Sequence, residues 1–372
     1  MTRPTAGRVG RPGVWRGLLA WSAVAPFALW ALLRLVPGDV HFRWVQLVAF
    51  TPYAALASVV APLVAVLVRR RAALVAGLAA TATLVACVAP RALPDPIPGD
   101  SSGAGLRAAG AAGPVLRVLS ANLLYGSVPP AALVDLVRRL RPDVLTLQEL
   151  TPEASAGLRG AGLTALLPYA DDRAQEGSGG SGLFTRFPLR PENLADVAGR
   201  RQAAGIVEVP GAAPVAVVSV HPCAPRYSSR FRCWSKTLAS LPGPRGPVRI
   251  LSGDFNATLD HSRVRRLLDA GYRDAADVTG EGLAGTWPYR PWDLRGLPVP
   301  PVTIDHILVD PRVSVRAFGV HRLPVTDHRA IFAELAVPAI QGRAARSDAG
   351  KANLGSPPDH HTPIASAAVA SR

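Results

Sequence analysis

The sequence predicts an α/β domain that follows an N-terminal membrane anchor of three helices. Three long apolar runs lie within the first ninety residues of the 372-residue chain. From Val115 onward, short apolar strands alternate with segments of helical spacing. The hydrophobic fraction of 49% and the mean hydropathy of +0.21 are high for a soluble protein. An anchored α/β domain accounts for all three observations.

The three apolar runs extend over residues 17–36, 45–68 and 72–89. Each is close to the roughly 20 residues that cross the hydrocarbon core as a helix. A single run near the N-terminus could be a signal peptide, but three in succession favour a multi-pass anchor. Buried soluble helices are the alternative, and they are disfavoured because no polar face interrupts the second or third run.

The placement of arginine indicates how the anchor is oriented. Four arginines precede the first run, and Arg69, Arg70 and Arg71 separate the second from the third. The loop between the first two runs carries only Arg43 against Asp39. Because short cytoplasmic loops are enriched in basic residues, the N-terminus and the arginine triplet are predicted to be cytoplasmic. Three crossings of the cell membrane then place the rest of the chain outside the cell.

Composition divides the chain into four segments. Residues 1–90 are the predicted anchor, and residues 91–114, rich in Pro, Gly, Ser and Ala, are a predicted linker. Residues 115–337 are the predicted outer domain. Residues 338–372 are polar and are predicted to be a disordered tail.

The net charge of +15 says little about nucleic acid. Residues 1–100 carry ten basic and three acidic residues, a net of +7, and residues 101–372 carry 31 and 23, a net of +8. Only two of the 41 basic residues are lysine, so arginine is the default basic residue of this chain. An arginine-rich surface is therefore weak evidence for nucleic-acid binding.

Local patterns predict the elements of the outer domain in order. Short apolar runs predict strands at residues 115–120, 143–148, 183–185, 205–209, 215–220, 248–251, 302–309 and 330–335. Helical spacing predicts helices that begin near Pro129-Pro130, Thr151, Ser228 and Asp260. The Gly/Ser loop at residues 177–182 lacks the Gly-Lys-Ser/Thr ending of a P-loop, so it is not interpreted as a nucleotide-binding loop.

The clearest candidate for chemistry follows the strand that begins at Val248. That strand leads into Gly253-Asp254-Phe255-Asn256. Side chains at i and i+2 of an extended backbone point the same way, so Asp254 and Asn256 are predicted to project together. One is a potential general base and the other a neutral donor, while Gly253 permits close approach of a ligand. Taken alone, Asp and Asn after a strand are more often turn formers.

Other predicted strands also end in polar groups. The set is Asn122, Glu149, His221, Asp254, Asn256, Asp305, Asp327 and His328. Six different segments therefore end in a residue that could bind a metal, transfer a proton or contact a phosphate. A single Asp-His pair is usually a surface or turn feature. Six such ends in one domain favour a shared site.

This ordered set resembles the endonuclease/exonuclease/phosphatase superfamily of Mg-dependent phosphoesterases. The matching segments are Ser120-Ala121-Asn122, Leu147-Gln148-Glu149, Ser219-Val220-His221-Pro222, Gly253-Asp254-Phe255-Asn256, Ile304-Asp305-His306 and Thr326-Asp327-His328-Arg329. Residues 182–188 also look like the family's strand before the mid-domain turn. Each motif is weak, but all six in order over about residues 115–337 are specific. Thr326 stands where the family more often has Ser, a departure that keeps the hydroxyl.

The resemblance implies a four-layer α/β sandwich, in which two mainly antiparallel sheets pack face to face with helices outside. It also implies a divalent metal, Mg²⁺ or alternatively Mn²⁺. Glu149 would bind this ion, helped by Asn122 and Asp327, because hard oxygen ligands suit it.

The resemblance assigns the remaining residues to catalysis. Asp254 would orient and deprotonate the attacking water. Asn256 would donate to the developing phosphorane, while His221 and His328 would contact the phosphoryl oxygens. Asp305 would hold His328 in one tautomer.

Three functions remain open at this point. The leading one is a membrane-anchored, extracytoplasmic phosphoesterase that hydrolyses a phosphate ester or pyrophosphate, such as a prenyl pyrophosphate in a membrane lipid. An extracellular nuclease is the alternative, and the basic, aromatic stretch Arg226 to Trp234 offers a candidate track for nucleic acid. The same stretch could be an amphipathic helix at a membrane surface. A non-catalytic binding ectodomain is the third reading, and the complete polar set argues against it.

The overall layout, rather than any one motif, also resembles membrane-anchored actinomycete members of the superfamily that are linked to glycopeptide resistance. An enzyme tethered beside the outer leaflet gains a high local concentration of lipid substrate. Lipid phosphate or pyrophosphate is therefore favoured over nucleic acid as the partner.

The three cysteines predict one disulfide. Cys87 lies in the third apolar run, where it is a small apolar filler. Cys223 and Cys233 lie in the outer domain, where disulfides persist if the domain is outside the cell. They are predicted to close the loop after His221, with two buried free thiols as the alternative.

Overall fold

The N-terminal region forms helices where the apolar runs predict them. The computed structural model describes residues 12–36, 38–96, 113–193, 196–197, 200–290, 293–294 and 296–340. Within these ranges, the helices before the outer domain are α1 (Pro12–Leu35), α2 (Phe42–Val48), α3 (Thr51–Ala57), α4 (Val60–Leu67) and α5 (Arg71–Val88). Most of the predicted linker, and residues 341–372 of the predicted tail, lie outside the described residues.

Two of the described helices, Gly13–Leu35 and Arg71–Ala92, are long and apolar enough to span a membrane. A third candidate is the pair Phe42–Val48 and Thr51–Leu67, which is bent by 65°. The second apolar run is therefore not one straight helix. The break lies at Ala49 and Phe50, between the end of α2 and the start of α3.

The outer domain contains two six-stranded sheets. Its strands are β1 (Val115–Asn122), β2 (Val144–Gln148), β3 (Tyr169–Arg173), β4 (Ser181–Thr185), β5 (Leu189–Pro191), β6 (Asp196–Val197), β7 (Arg200–Arg201), β8 (Ala204–Val207), β9 (Val215–Val220), β10 (Val248–Asp254), β11 (Arg273–Asp274), β12 (Asp293–Leu294), β13 (Leu297–Pro298), β14 (Asp305–Val309), β15 (Ser314–Arg322) and β16 (Arg329–Ala336). The first sheet has the order β15-β16-β1-β2-β4-β3 and the second β11-β14-β10-β9-β8-β5.

Each sheet has a single parallel pair, β1 with β2 and β9 with β10, and its other pairs are antiparallel. Parallel neighbours need a crossover, and a helix supplies it in both sheets. The helices of the domain are α6 (Pro130–Leu140), α7 (Pro152–Gly160), α8 (Leu163–Leu166), α9 (Ser228–Ser240), α10 (Ser262–Asp269) and α11 (Ala275–Val278). The crossovers are α6 in the first sheet and α9 in the second.

Three hydrophobic layers separate four layers of secondary structure. The layer between the sheets is aliphatic and includes Val118, Val217 and Ile250. A second layer joins the first sheet to α6 and α7, and a third joins the second sheet to α9 and α10 around Trp234 and Phe255. The predicted four-layer α/β sandwich is confirmed.

Two sequence-based predictions about elements need correction. Asp260 was expected to cap a helix, but α10 begins at Ser262 with His261 as its N-cap residue. Among the strands of five or more residues, β3 and β15 were not predicted; β15, with nine residues, is the longer. It forms the edge of the first sheet and most of its residues are half-buried, so it lacks the apolar run by which buried strands are detected.

The segment that follows α5 contacts the outer domain directly. The Gly282 amide donates to the Arg91 carbonyl at 3.0 Å, and the Asp95 amide donates to the Val278 carbonyl at 2.9 Å. Val45 of α2 is buried in the same hydrophobic layer as Trp234. The first residues of the predicted linker are therefore ordered against the domain.

Candidate active site

Sheet topology brings the predicted site residues to one edge of the sandwich. Carboxyl ends of parallel neighbours meet at the same edge of a sheet, so β1 and β2 place Asn122 beside Glu149. In the second sheet β9 and β10 place His221 beside Asp254 in the same way. Asp305 is directly opposite Asp254 in the antiparallel pair of β10 and β14.

The Asp254 carboxylate is the centre of the site. Its Oδ2 lies 3.0 Å from Asn122 Nδ2 and 3.2 Å from Asn256 Nδ2, both of which donate to it. The same oxygen is 3.6 Å from His221 Nε2 and 3.8 Å from His328 Nε2. One carboxylate oxygen is thus surrounded by side-chain nitrogens from both sheets.

Gly253 makes room for this arrangement. A Cβ at this position would collide with the Val220 carbonyl of the neighbouring strand. Asn256 reaches back to Asp254 through a left-handed backbone with φ of 48°, and its Nδ2 also donates to the Pro222 carbonyl at 3.2 Å. Asp254 and Asn256 therefore meet across a turn, and not by alternation along a strand as predicted.

Glu149 lies half-buried at the end of β2. Its Oε2 accepts from the Tyr125 amide at 2.8 Å, and its Oε1 lies 3.4 Å from Asn122 Nδ2 and 3.8 Å from His221 Nε2. Its backbone has a φ of 57°, and Tyr125 has one of 52°. Such conformations cost about 1–3 kcal/mol each for residues other than glycine and cluster at functional sites.

His328 and Asp305 form a buried pair across the two sheets. The two Asp305 oxygens lie 3.2 and 3.0 Å from His328 Nδ1. Burial alone would lower the pKa of His328, but Asp305 and Asp254 raise it to about 10. The imidazolium therefore persists at neutral pH and directs its Nε2 proton toward Asp254.

The pKa of the Asp254 carboxyl is also raised, which for a carboxyl favours the neutral form. Burial raises its pKa to about 7, with His328 acting to lower it and Asp305 to raise it. A carboxylate with a pKa near neutrality is suited to accept a proton from water.

Asp327 is held in place by two residues that were not among the predicted site residues. Trp287 Nε1 donates to its Oδ2 at 2.8 Å, and the Tyr289 amide donates to its carbonyl at 2.7 Å. Its Oδ1 is buried and has no hydrogen-bond partner among the described residues. This oxygen is available to a ligand.

The structure thus brings all eight predicted residues to one edge, and it adds three that the sequence reasoning missed. Trp287 orients Asp327, and Thr286 Oγ1 accepts from the Asp305 amide at 3.2 Å. Gln202 Oε1 accepts from the His221 amide at 2.9 Å. None of these three ends one of the predicted strands, so strand-end polarity could not have identified them.

The side chains could hold a metal in two ways. Ligand atoms of Asp254, Asp305 and His328 all lie within 4.8 Å of one another. In that group the His328 imidazolium already pairs with both carboxylates. Glu149 and Asp327 offer carboxylate oxygens that are less closely paired, since His221 Nε2 lies 3.8 Å from Glu149 Oε1 and His328 Nε2 lies 4.0 Å from Asp327 Oδ1. Oxygen is the donor type that Mg²⁺ prefers.

Within the stretch Arg226 to Trp234, residues 228–234 form the start of α9, and Arg226 and Tyr227 precede it. Trp234 is fully buried, and Phe231 stacks on it with ring centroids 5.9 Å apart. The predicted disulfide between Cys223 and Cys233 is present, with the Cα atoms 5.8 Å apart, and Cys87 is free. Phe231 and Trp234 therefore pack toward the core, while Tyr227, the third aromatic residue of the stretch, is exposed. The nucleic-acid track and the amphipathic segment at a membrane surface both stay predictions.

Comparison with known proteins identifies the family. The model of the Endonuclease/Exonuclease/phosphatase family matches residues 119–328, which include every predicted site residue. The chain belongs to the endonuclease/exonuclease/phosphatase family. Members of this family are nucleases and phosphatases, so the outer domain is a hydrolase-type domain.

Several solved structures are similar to this family member. One is an endonuclease/exonuclease/phosphatase from Beutenbergia cavernae DSM 12333, with 16% identity, a TM-score of 0.47, and 60% of this chain and 72% of that chain covered. D. rerio TDP2 complexed with single strand DNA product has 18% identity and a TM-score of 0.45 over 59% and 98% of the two chains. An AP endonuclease from Archaeoglobus fulgidus has 15% identity and a TM-score of 0.45 over 59% and 98%. No curated protein matches the chain.

Proposed function

We propose that this chain is a membrane-anchored, extracytoplasmic, metal-dependent phosphoric ester hydrolase. The observation that carries the proposal is the Asp254 carboxylate with Asn122, Asn256, His221 and His328 around it, because this set combines a base with four nitrogen donors. A phosphoryl group that enters the site would meet donors where negative charge develops. A non-catalytic binding domain has no need of a buried carboxylate with a pKa near 7.

Glu149 and Asp327, with Asn122, are the residues that would hold the metal. Asp327 Oδ1, which accepts no hydrogen bond from the described residues, and the half-buried Glu149 carboxylate fit a hard cation such as Mg²⁺ or Mn²⁺. Asn122 uses its Oδ1 to accept from the Leu124 amide at 2.9 Å and turns its Nδ2 toward the carboxylates. When bound, the ion supplies Lewis acidity and stabilises the leaving group.

Asp254 would act as the general base in this scheme. It would accept a proton from the attacking water while the two asparagines hold its carboxylate in place. Asn256 Nδ2 lies beside it and would donate to the phosphoryl group as the new bond forms. His221 and His328 would stabilise the charge on the non-bridging oxygens, and Asp305 keeps His328 protonated and oriented.

The helix ends support the predicted orientation of the anchor. The last turn of α1 and the segment directly after α5 both contact the outer domain, through Arg34 and Arg91. At the opposite end of the helices, Arg70 of the arginine triplet donates to the carbonyl of Gly13 near the start of α1. The N-terminus and the triplet therefore share one end and the outer domain occupies the other, which is the arrangement that the positive-inside rule requires.

The position of α2 favours a membrane lipid as the substrate. Gln46 Nε2 lies 3.2 Å from the Pro225 carbonyl and 3.1 Å from the Arg226 carbonyl, on the loop that follows His221. Arg226, Tyr227 and Arg230 are exposed there, which is the combination of basic and aromatic side chains found where proteins meet lipid headgroups. We infer that a lipid phosphate or pyrophosphate, such as a prenyl pyrophosphate, reaches the site from this side.

The test compares substrates with the full chain in lipid nanodiscs. Hydrolysis of a membrane-embedded prenyl pyrophosphate, of a phospholipid and of single-stranded DNA is measured with Mg²⁺, with Mn²⁺ and with EDTA, using Asp254→Asn as the inactive control. Faster hydrolysis of a lipid substrate that needs a divalent ion is expected. Cleavage of DNA in preference to both lipids would favour the nuclease alternative, and turnover of none would favour a binding ectodomain.

A further inference from the structure

Asp260 connects the two candidate membrane helices to the loop that carries the site. This residue lies six positions after Asp254, and its side chain is fully buried. Its Oδ1 accepts from Arg34 Nε at 2.6 Å and from Arg91 Nη2 at 2.8 Å. Its Oδ2 accepts from Arg91 Nη1 at 2.8 Å, so Arg91 binds it with both terminal nitrogens.

The two arginines come from different membrane-proximal helix ends. Arg34 is in the last turn of α1, and Arg91 ends the long helix Arg71–Ala92. Both are buried like Asp260. A buried carboxylate with two buried arginines tolerates little displacement, because moving any one of the three leaves a charge unpaired in a low-dielectric environment.

Further contacts hold the same short loop against the anchor. His261 Nδ1 accepts from the Thr258 amide at 2.9 Å, so its Nε2 carries the proton and donates to the Val45 carbonyl at 2.8 Å. Asp39 accepts from the Ser262 amide at 3.1 Å and from its hydroxyl at 2.7 Å. Residues 260–262 are thus fixed by α1, by the turn after it, by α2 and by the end of the Arg71–Ala92 helix.

The other end of the loop is in the site. Asn256 bonds to Asp254 through both its backbone amide and its side chain, and the Asn256 carbonyl accepts from Trp234 Nε1 at 3.1 Å. Trp234 in turn packs edge-on against His261, with ring centroids 5.5 Å apart. Residues 260–262 are therefore connected to Asn256 through direct contacts of Trp234.

We propose that Asp260, bound by Arg34 and Arg91, is a positioning residue, so that the membrane helices are part of the catalytic unit and not only its tether. The inference rests on the proposed function, since it assigns Asp254 and Asn256 to the reaction. This role explains why Arg34 and Arg91 both bind one buried carboxylate instead of contacting lipid headgroups.

The test uses the full chain in nanodiscs and two variants of different severity. Asp260→Asn removes the charge that both arginines require. Arg34→Gln removes one arginine and leaves the two-nitrogen pair of Arg91, so this variant is expected to fold even if the first does not. Asp95→Asn is the matched control, because the 2.6 Å pair of Asp95 with Arg273 also joins this segment to the domain but is exposed.

Hydrogen exchange of residues 254–262 and the split between kcat and KM are the two readouts. Because misplacement of reacting groups by about 1 Å can cost about 100-fold, Asp260→Asn should lower kcat by about 10- to 100-fold with little change in KM. Arg34→Gln should lower it by a smaller factor, and Asp95→Asn should leave it within about twofold of wild type. Exchange of residues 254–262 should rise in the first two variants, while that of β2 should not.

Unchanged exchange of residues 254–262 in both variants overturns the inference, whether or not the chain is a hydrolase. Raised exchange with unchanged kcat overturns it as well, since the loop would then move without consequence for the reaction. If the wild-type chain hydrolyses none of the substrates, raised exchange still supports the coupling of helix ends to this loop, and only the proposed function fails.

Discussion

Replacement of Asp254 by Asn should abolish hydrolysis and yet make the fold more stable at alkaline pH. Burial raises the pKa of this carboxyl to about 7, against an ordinary value of 3.8 for Asp. Between these two pH values the unfolded chain loses the proton and the folded chain keeps it. The free energy of unfolding therefore falls as the pH rises from about 4 to about 7.

The size of this effect follows from the same two values. The gap between 3.8 and about 7 corresponds to at most about 4 kcal/mol of stability that ionised Asp254 costs above neutral pH. Asn removes this cost but turns an NH₂ group toward one of the N–H donors that surround Asp254. That mismatch costs about 1–3 kcal/mol. The expected net gain is about 1–3 kcal/mol at about pH 8, with a net loss at about pH 4.

The assay pairs stability with turnover in the full chain. Thermal unfolding in detergent with EDTA at about pH 8 and pH 4 measures stability, and turnover with Mg²⁺ measures activity. Loss of a general base lowers kcat by about 10²- to 10⁴-fold. The control is Asp274→Asn, which also removes a buried carboxylate that lies beside a histidine, His306, at 2.9 Å.

The control variant should behave in the opposite way. It should lower stability because it leaves the buried His306 without its partner, and it should keep kcat within about threefold of wild type. If Asp254→Asn is instead less stable than wild type at pH 8, the assignment of a neutral-range pKa to Asp254 is refuted. Retention of kcat by Asp254→Asn would remove it as the base.

Two further predictions concern groups around the site. Trp287→Phe removes the 2.8 Å hydrogen bond to Asp327. The Mg²⁺ concentration for half-maximal activity should therefore rise by about 10- to 100-fold, while kcat at saturating Mg²⁺ is retained. An unchanged Mg²⁺ concentration for half-maximal activity would show that Asp327 does not bind the metal. His306 donates to Asp274 and to the Ala257 carbonyl at 2.9 Å each, and although burial alone would lower its pKa, Asp274 raises it above 6.5. Its stabilisation is complete below about pH 6.5 and is lost as the pH rises through the folded pKa. The difference in thermal stability between wild type and Asp274→Asn should therefore shrink above that pH, and a constant difference would contradict the charged state of His306.

The residues of the candidate site could be predicted to lie together because they follow a simple topological rule. Asn122, Glu149, His221 and Asp254 each lie at or directly after the carboxyl end of a strand, and the strands form two parallel pairs. An apolar run followed by a polar residue is visible in the sequence, and the parallel pairing then brings the ends together. These residues could therefore be identified from the sequence without knowledge of the sheet order.

Other features have no such local signal. Trp287 belongs to none of the described strands and pairs with Val302 in an isolated bridge, so no strand pattern in the sequence marks it as a partner of Asp327. The break between α2 and α3 depends on the docking of α2 against the outer domain, which hydropathy alone does not report. Strand β15 forms a sheet edge that is partly open to solvent, so most of its residues are half-buried and its sequence alternates only weakly between apolar and polar.

Asp260 shows most clearly how tertiary contacts override local preference. Its position before an apolar helical pattern is typical of a cap residue. Burial alone would raise its pKa, but Arg91 and Arg34 hold the pKa of the carboxyl below its usual value. Arg34 lies 226 residues and Arg91 lies 169 residues before Asp260 along the chain, so no short sequence window contains the interaction.

The engagement of these two arginines also bears on the orientation of the anchor. Arg34 and Arg91 lie at the ends of two candidate spans on the side of the outer domain, where the positive-inside rule disfavours basic residues. The rule compares the basic residues on the two sides of the spans, however. Seven arginines precede the first span or separate the second from the third, against Arg34, Arg43 and Arg91 on the side of the domain. Arg34 and Arg91 are moreover paired with the buried Asp260 carboxylate. The two arginines nearest the domain are therefore compatible with an extracytoplasmic site, and their cost in the membrane-proximal region is offset by the carboxylate that they position.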